Sequence, residues 1–359
     1  MAPGPGVEAR GTESAGMVEV DAGLPLDEAL AAMAAAGTAV AVVRGPGGAV
    51  EGTITDGELR AAALTGLDHE APVADVALGA PLWVRPGAPD AEVADLLVRH
   101  HLDVVPVVDG ERLVGTRRAA DVGVVRPPTT AVLLVGGRGS RLAPLTDRVP
   151  KPLLAIGGRT ILERILDNLA AAGITDVHLA VNYLAEVFQA RLGDGAEAGV
   201  HLTYLHEREP LDTAGALSLI PHRPSGPVLV LNADQITSLP FARLVEHHTR
   251  VGNAITVASF DHAVGIPYGV LQLDGATLTG IEEKPTLRMP CNAGIYVLDP
   301  ELLDLVPPAT PYQMPSLISA AMEGGRQVGA FPIIERFIDI GTREELDKAL
   351  LWFATGEER

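Results

Sequence analysis

The stretch Ala131-Val132-Leu133-Leu134-Val135-Gly136-Gly137-Arg138-Gly139-Ser140-Arg141-Leu142 decides the fold. Five apolar residues run without a polar break into a glycine-rich turn, the pattern of a strand buried on both faces that opens onto a loop. Glycines at 136, 137 and 139 let the backbone come close to a ligand and present amides to it, as phosphate oxygens require. A glycine loop alone is a weak signal. A dinucleotide fingerprint starting at Gly137 would need a third glycine where Leu142 stands, and no Walker-type lysine follows these glycines.

The next signal outward is a lysine in Pro150-Lys151-Pro152, with another in Glu282-Glu283-Lys284-Pro285. The chain holds only three lysines against 24 arginines. A lysine kept against that bias points to a site needing a compact ammonium rather than a planar fork, and phosphate oxygens crowded beside a metal ion are such a site. Further out, apolar runs at 131–135, 177–181, 228–231, 254–259 and 295–298 read as strands. Helical periodicity at 160–172 and 239–251 fills gaps between them, and 343–353 reads as a closing amphipathic helix. Strands alternating with helices imply an α/β fold with a mainly parallel sheet covered on both faces.

Ahead of the stiff segment Arg126-Pro127-Pro128-Thr129-Thr130, two stretches share one order: helix, strand, tight turn, strand ending in Gly-Thr, helix. The helices are expected at 26–36 and 88–100, with Gly52-Thr53 and Gly115-Thr116 closing the strand pairs, a period of about 60 residues. Each copy is too small to bury its own core well, so the two should pack as a pair. The expected organisation is a tail at 1–16, a repeat pair at 17–125, a linker at 126–130 and an α/β domain at 131–359. Because every motif with chemistry lies after the linker, the repeat pair is expected to be separable.

Composition narrows the function. Hydrophobic residues make up 47% and charged residues 20%, as in ordinary globular proteins. No run approaches the roughly 18 apolar residues of a membrane helix, and segment 1–16 lacks the basic-then-apolar order of a secretory signal, so a cytoplasmic protein with a disordered tail is expected. A single cysteine, Cys291, excludes an internal disulfide and a cysteine-based zinc site. A formal charge of −19 argues against nucleic acid as partner and requires any phosphate site to concentrate Arg, Lys, backbone amides and Mg²⁺ locally. The histidine pairs His100-His101 and His247-His248 have no metal-ligand context and read as helix-surface residues.

The string from Gly136 through Pro152 resembles the signature of sugar-1-phosphate nucleotidyltransferases. Further pieces follow in that family's order: Asn182-Tyr183, Pro210-Leu211-Asp212-Thr213-Ala214-Gly215, Asn232-Ala233-Asp234, Pro267-Tyr268-Gly269-Val270, Glu282-Glu283-Lys284-Pro285, Asn292-Ala293-Gly294-Ile295-Tyr296 and Phe337-Ile338-Asp339-Ile340-Gly341. The likeness spans 131–355 and is greatest to the mannose-1-phosphate guanylyltransferase branch. It implies a Rossmann-like, GT-A-like domain that transfers a nucleoside monophosphate from an NTP to a sugar 1-phosphate with loss of pyrophosphate. By that resemblance Arg141, Lys151 and Lys284 are catalytic, and Val135, Gly136, Gly137, Gly139, Ser140, Arg141, Glu207, Asp212 and Thr213 hold the nucleotide. Asn182, Gly269, Glu283, Lys284 and Asn292 would hold the sugar phosphate, and Asp234 and Asp339 would chelate Mg²⁺.

Glu207 falls where the family faces the Watson–Crick edge of the base. A carboxylate accepts both N1–H and the exocyclic amine of guanine, so GTP is expected, with UTP or dTTP the alternative. Four departures from the family pattern are Val135 for alanine, Ala233 for glycine, Phe337-Ile338 for Trp-Leu, and Asp212 for the glycine of Leu-Gly-Thr-Ala-Gly. They leave the acceptor open among a modified hexose, a heptose and a cyclitol phosphate, and a catalytically silent regulatory subunit is the rival reading. The N-terminal pair resembles CBS motifs, which implies an adenine-nucleotide site at Thr55 and Glu58. In the second copy Gly115 and Asp121 remain, but Arg118 stands where the hydroxyl belongs. Packing or dimerisation is the alternative role, and a homodimer is expected.

Overall fold

The computed structural model describes residues 13–14, 17–64, 67–68, 70–76, 81–124 and 126–354; most of the expected tail therefore lies outside the described residues. The strand Thr130–Leu134 is central to a seven-stranded sheet. In order across the sheet lie His201–His206, Asp176–Val181, Thr130–Leu134, Val228–Asn232, Thr286–Leu298, Ile255–Gly265 and Val328–Pro332. Thr286–Leu298 alone runs against its neighbours, and the other six strands point the same way. The mainly parallel sheet read from the sequence thus carries one reversed strand.

Residue alternation along the central strand shows why a continuous apolar run was needed. Ala131 and Leu133 enter one core, Val132 the other, and all three are fully buried. Helix Ile161–Ala171 covers the first core with Ile161, Leu162, Ile165, Leu166 and Leu169 on one face. It starts on a reciprocal cap, with the Thr160 hydroxyl accepting from the Glu163 amide and the Glu163 carboxylate accepting from the Thr160 amide. Six strands ending at one edge gather their following loops there, where ligands of open α/β sheets bind. The glycine loop, Asn182, Glu207 and Asp234 all follow such strand ends.

Helix Phe241–Val251 corrects one sequence expectation. His248 is buried, with its ring nitrogens 3.0 Å from Thr256 Oγ1 and 3.3 Å from Asp299 Oδ1. His247 stacks edge-on against Phe331 at 5.0 Å between ring centroids. Neither ring is free on the helix surface, because His248 faces Thr256 and Asp299 and His247 lies half-buried between Phe331 and the N-terminal module.

That module is built from two stretches that share a core. Strands Met17–Asp21, Val40–Arg44 and Val50–Thr55 and helices Leu26–Ala35 and Asp56–Leu64 form the first copy. Helix Asp90–Arg99 and the hairpin Val104–Asp109, Arg112–Arg118 form the second. Val40 of the first copy shares a core with Val93, Leu97 and Val105 of the second, so each copy completes the other. The module is also docked on the edge of the seven-stranded sheet. Arg60 bonds to Glu335 and Pro332, Ile334 packs on the first copy's core, and Arg250 reaches Thr55. A chain beginning near Thr129 would uncover Phe331 and leave Glu335 without its cation, a cost that motif placement alone does not show.

Phe331, fully buried between His247 and Arg60, makes Phe331→Ala an expected loss of about 3–5 kcal/mol in unfolding free energy, read from urea midpoints. Burial, with repulsion from Arg250, holds the His247 imidazole down at about 4. The unfolded chain, with an ordinary value near 6.5, binds a proton there that the folded chain excludes. Stability from this group is complete above about 6.5 and is lost as pH falls toward about 4. Thermal melts across that window should show a flatter acid limb for His247→Leu than for wild type.

Candidate functional site

The loop after the central strand lines a cleft of about 240 Å³ with Gly137, Gly139, Ser140, Arg141, Lys151 and Asp234 among its walls. Gly139 takes φ +61°, and a Cβ there would stand 3.1 Å from Lys151 Cβ and from Thr146 Cγ2. Only glycine fits both the left-handed backbone and the close lysine stem. The Thr146 hydroxyl donates to the Gly139 carbonyl at 2.9 Å and braces the loop. Motif reading missed Thr146; its signal was the hydroxyl four residues before Pro150-Lys151, at the loop's return.

Lys151 is buried in a single turn of 3₁₀ helix, Lys151–Leu153. Its Nζ lies 2.6 Å from Asp234 Oδ2. The short strand Gln235–Thr237 pairs antiparallel with Phe337–Asp339, which sets Asp339 opposite Gln235, and the Ile340 amide donates to the Asp234 carbonyl at 3.0 Å. Burial raises the Asp339 carboxyl above the usual range; Asp234 adds to this, and Lys151 and Arg141 oppose it. Two neighbouring carboxylates, one of them in contact with the Lys151 ammonium, fit a divalent cation. No group of three or more His, Cys, Asp or Glu among the described residues forms a metal cage. A Mg²⁺ ion there would be held by the two carboxylates, with substrate phosphates completing its shell.

On the other flank, the Asn182 side chain donates to the Glu207 carbonyl at 2.8 Å. Glu207 Oε2 accepts from the Leu211 amide at 2.8 Å, while its Oε1 faces Gly136, where an added Cβ would sit 3.2 Å away. Burial raises the Glu207 carboxyl; the Leu211 amide opposes this, and Asp212 adds to the rise. Asp212 has φ +59°, a left-handed conformation that glycine adopts without cost and Asp tolerates better than most residues. This accounts for glycine at that place in the related motif. The Thr213 hydroxyl accepts from the Met314 amide at 2.8 Å, anchoring the short helix Asp212–Gly215.

The remaining residues are not in this cleft. Residues 261–291 form an arm in which only Pro285 is buried. Gly269, Glu283 and Lys284 lie along its hairpin, Gly269 paired with Glu283 and the Lys284 amide donating to the Tyr268 carbonyl at 3.3 Å. Asn292, at the base of the arm, donates to Tyr296 Oη at 2.9 Å and accepts from the Gly294 amide at 2.8 Å. In the N-terminal module, the Thr55 hydroxyl donates to Glu58 at 2.8 Å and accepts from Arg250 at 3.2 Å, leaving about 10 Å³ of space. A nucleotide at Thr55 would have to displace Arg250. In the second copy the Arg118 amide donates to Asp121 at 3.3 Å.

The nucleotidyl transferase family profile matches residues 130–353, well over half of the chain. The chain belongs to the nucleotidyl transferase family. A CBS domain profile matches residues 73–116. Mannose-1-phosphate guanyltransferases of Kluyveromyces lactis and Saccharomyces cerevisiae are each 41% identical over 184 residues, covering 49% of this chain and 51% of theirs. That of Schizosaccharomyces pombe is 36% identical over 220 residues, covering 59% of this chain and 60% of its own. The chain thus spans about half the length of the first two curated relatives. Among solved structures, HddC from Yersinia pseudotuberculosis aligns with TM-score 0.50 at 24% identity, covering 62% of this chain and 99% of that one, a likeness of fold. No helix among the described residues is long and apolar enough to cross a membrane.

Gly139→Ala should strain the loop and push on the Lys151 stem. The expected outcome is a fold that survives with a loss of about 1–2 kcal/mol, and a rise in nucleotide KM in steady-state kinetics. A variant with wild-type KM would show that the loop does not carry the nucleotide.

Proposed function

We propose that this chain transfers a nucleoside monophosphate from GTP to a sugar-like 1-phosphate, releasing pyrophosphate. The observation that carries the reading is the contact of Lys151 Nζ with Asp234 Oδ2 at 2.6 Å, at the end of a glycine loop and beside Asp339. An oxygen of the acceptor phosphate attacks the α-phosphorus. The new P–O bond forms as the bond to the bridging oxygen breaks, and pyrophosphate leaves with that electron pair. The attacking oxygen is already anionic, so no proton need be moved. The protein's task is therefore positioning and charge neutralisation.

The glycine-loop amides and Arg141 take the triphosphate. Lys151, whose stem is fixed and whose ammonium turns freely, leaves Asp234 for the phosphate oxygens at the reacting centre. Asp234 and Asp339 would hold Mg²⁺, which when bound neutralises phosphate charge and orients the leaving group. Lys284, Glu283, Gly269 and Asn292 are assigned to the acceptor from the arm and its base. Guanine is supported by the Glu207 carboxylate, an acceptor-only group that stands beside Gly136 of the glycine loop, and by the printed activity of the mannose-1-phosphate guanyltransferase relatives. Asp212, a charged side chain on strained backbone, supports an acceptor other than plain mannose 1-phosphate, such as a modified hexose, heptose or cyclitol phosphate. The intact set Arg141, Lys151, Asp234 and Asp339 favours an enzyme over a silent subunit.

A pyrophosphate-release screen of five nucleoside triphosphates against sugar and cyclitol phosphates tests the reading; a preference for UTP or dTTP overturns the guanine assignment. Lys151→Ala should cut turnover on the order of 10²–10³-fold with the fold intact. Asp234→Asn should abolish Mg²⁺-dependent turnover. Glu207→Gln should cost about 1–3 kcal/mol of discrimination for GTP over the other triphosphates in competition assays.

A further inference from the structure

Arg60 is 1% exposed and lies between the N-terminal module and the edge of the catalytic sheet. Its five N–H donors all have partners. Nε and Nη2 bond to the Asp56 carboxylate at 2.8 and 3.1 Å. Nη1 donates to the Pro332 carbonyl at 2.9 Å, and Nη1 and Nη2 fork onto Glu335 at 3.1 and 2.6 Å. The cation also sits 4.4 Å from the centroid of the Phe331 ring. A planar fork with every donor engaged fixes one relative orientation of the two parts. It adds little net stability over apolar packing, because both carboxylates and the cation were taken out of water.

The place where this fork lands gives it a role. Segment 332–335 joins the edge strand Val328–Pro332 to the strand Phe337–Asp339. Glu335 Oε2 also accepts from the Ile334 amide at 3.2 Å, so the gripped carboxylate shapes the turn itself. Four residues on, Asp339 is registered against Gln235, the neighbour of Asp234. The segment is therefore held at one end by the N-terminal module and at the other by the strand that follows Asp234.

We propose that Arg60 is a positioning residue for the carboxylate pair Asp234 and Asp339: through Glu335, the docked N-terminal module sets the metal affinity of the catalytic cleft. This rests on the reading of those two carboxylates as the metal-holding pair. It gives the module a role that requires no ligand of its own, since the contact runs through side chains already in place.

The test is Mn²⁺ binding to the full-length protein with α,β-methylene-GTP, followed by electron paramagnetic resonance. Arg60→Met is combined with Asp56→Asn and Glu335→Gln so that no buried carboxylate is left unpaired, and Glu335→Ala alone is the second variant should the triple fail to fold. The Mn²⁺ dissociation constant should rise about 10-fold, the lower end of what loss of a ligand-orienting partner costs. Hydrogen exchange at 333–340 should quicken, and nucleotide KM at saturating metal should stay at the wild-type value. An unchanged Mn²⁺ constant in a folded variant overturns the proposal. Asp339→Asn separates the two readings: if it leaves Mn²⁺ binding intact, the metal-pair reading falls and takes this one with it. If it abolishes binding while the Arg60 and Glu335 variants bind normally, only the positioning role falls.

Discussion

One ammonium–carboxylate contact, Lys151 to Asp234, ties together the loop after the central strand and the turn after its parallel neighbour. Both partners line the cleft under the glycine loop. Placed alone, a buried lysine or a half-buried aspartate would be expensive; side by side each makes the other affordable. The rest of the site is arranged about that pair. Gly139 gives way to the lysine stem, Thr146 braces the loop, and the strand carrying Asp339 is registered on the one that follows Asp234. A protein with a formal charge of −19 binds phosphates only by such local organisation, since its far field repels them.

Much of this was legible in the residue order, because buried parallel strands announce themselves as unbroken apolar runs. Strands lie at all five places read from the sequence, with the run at 131–135 displaced to Thr130–Leu134 and those at 254–259 and 295–298 extended into the longer Ile255–Gly265 and Thr286–Leu298. The glycine loop, Lys151 and Asp234 line one cleft as the motif order implied. What the sequence could not show was contact between distant segments. His247 and His248 sit on a strongly amphipathic helix and read as surface residues. Their burial comes from a second module laid against the helix and from Asp299 and Thr256 across the sheet. Arg60 was invisible for the same reason: its meaning lies in Glu335, 275 residues away.

The departures from the related pattern also divide physically. Asp212 keeps the left-handed turn that a glycine would form and pays in backbone strain for a side chain. Phe337, standing where the related pattern has Trp, stacks on Phe260 at 4.8 Å, two residues before Asp339.

The arm at 261–291 has a consequence for solubility. A two-stranded ribbon showing Leu271, Leu273, Leu278 and Ile281 to water, with open backbone edges, is the shape that seeds pairing between chains. Glu282, Glu283 and Lys284 interrupt the ribbon, and Asp261, His262 and Arg288 flank its stem. These charges act as gatekeepers, making the arrival of a second ribbon costly in desolvation. The charged residues assigned to the acceptor thus carry a second burden, keeping an exposed β-ribbon soluble in a crowded solution.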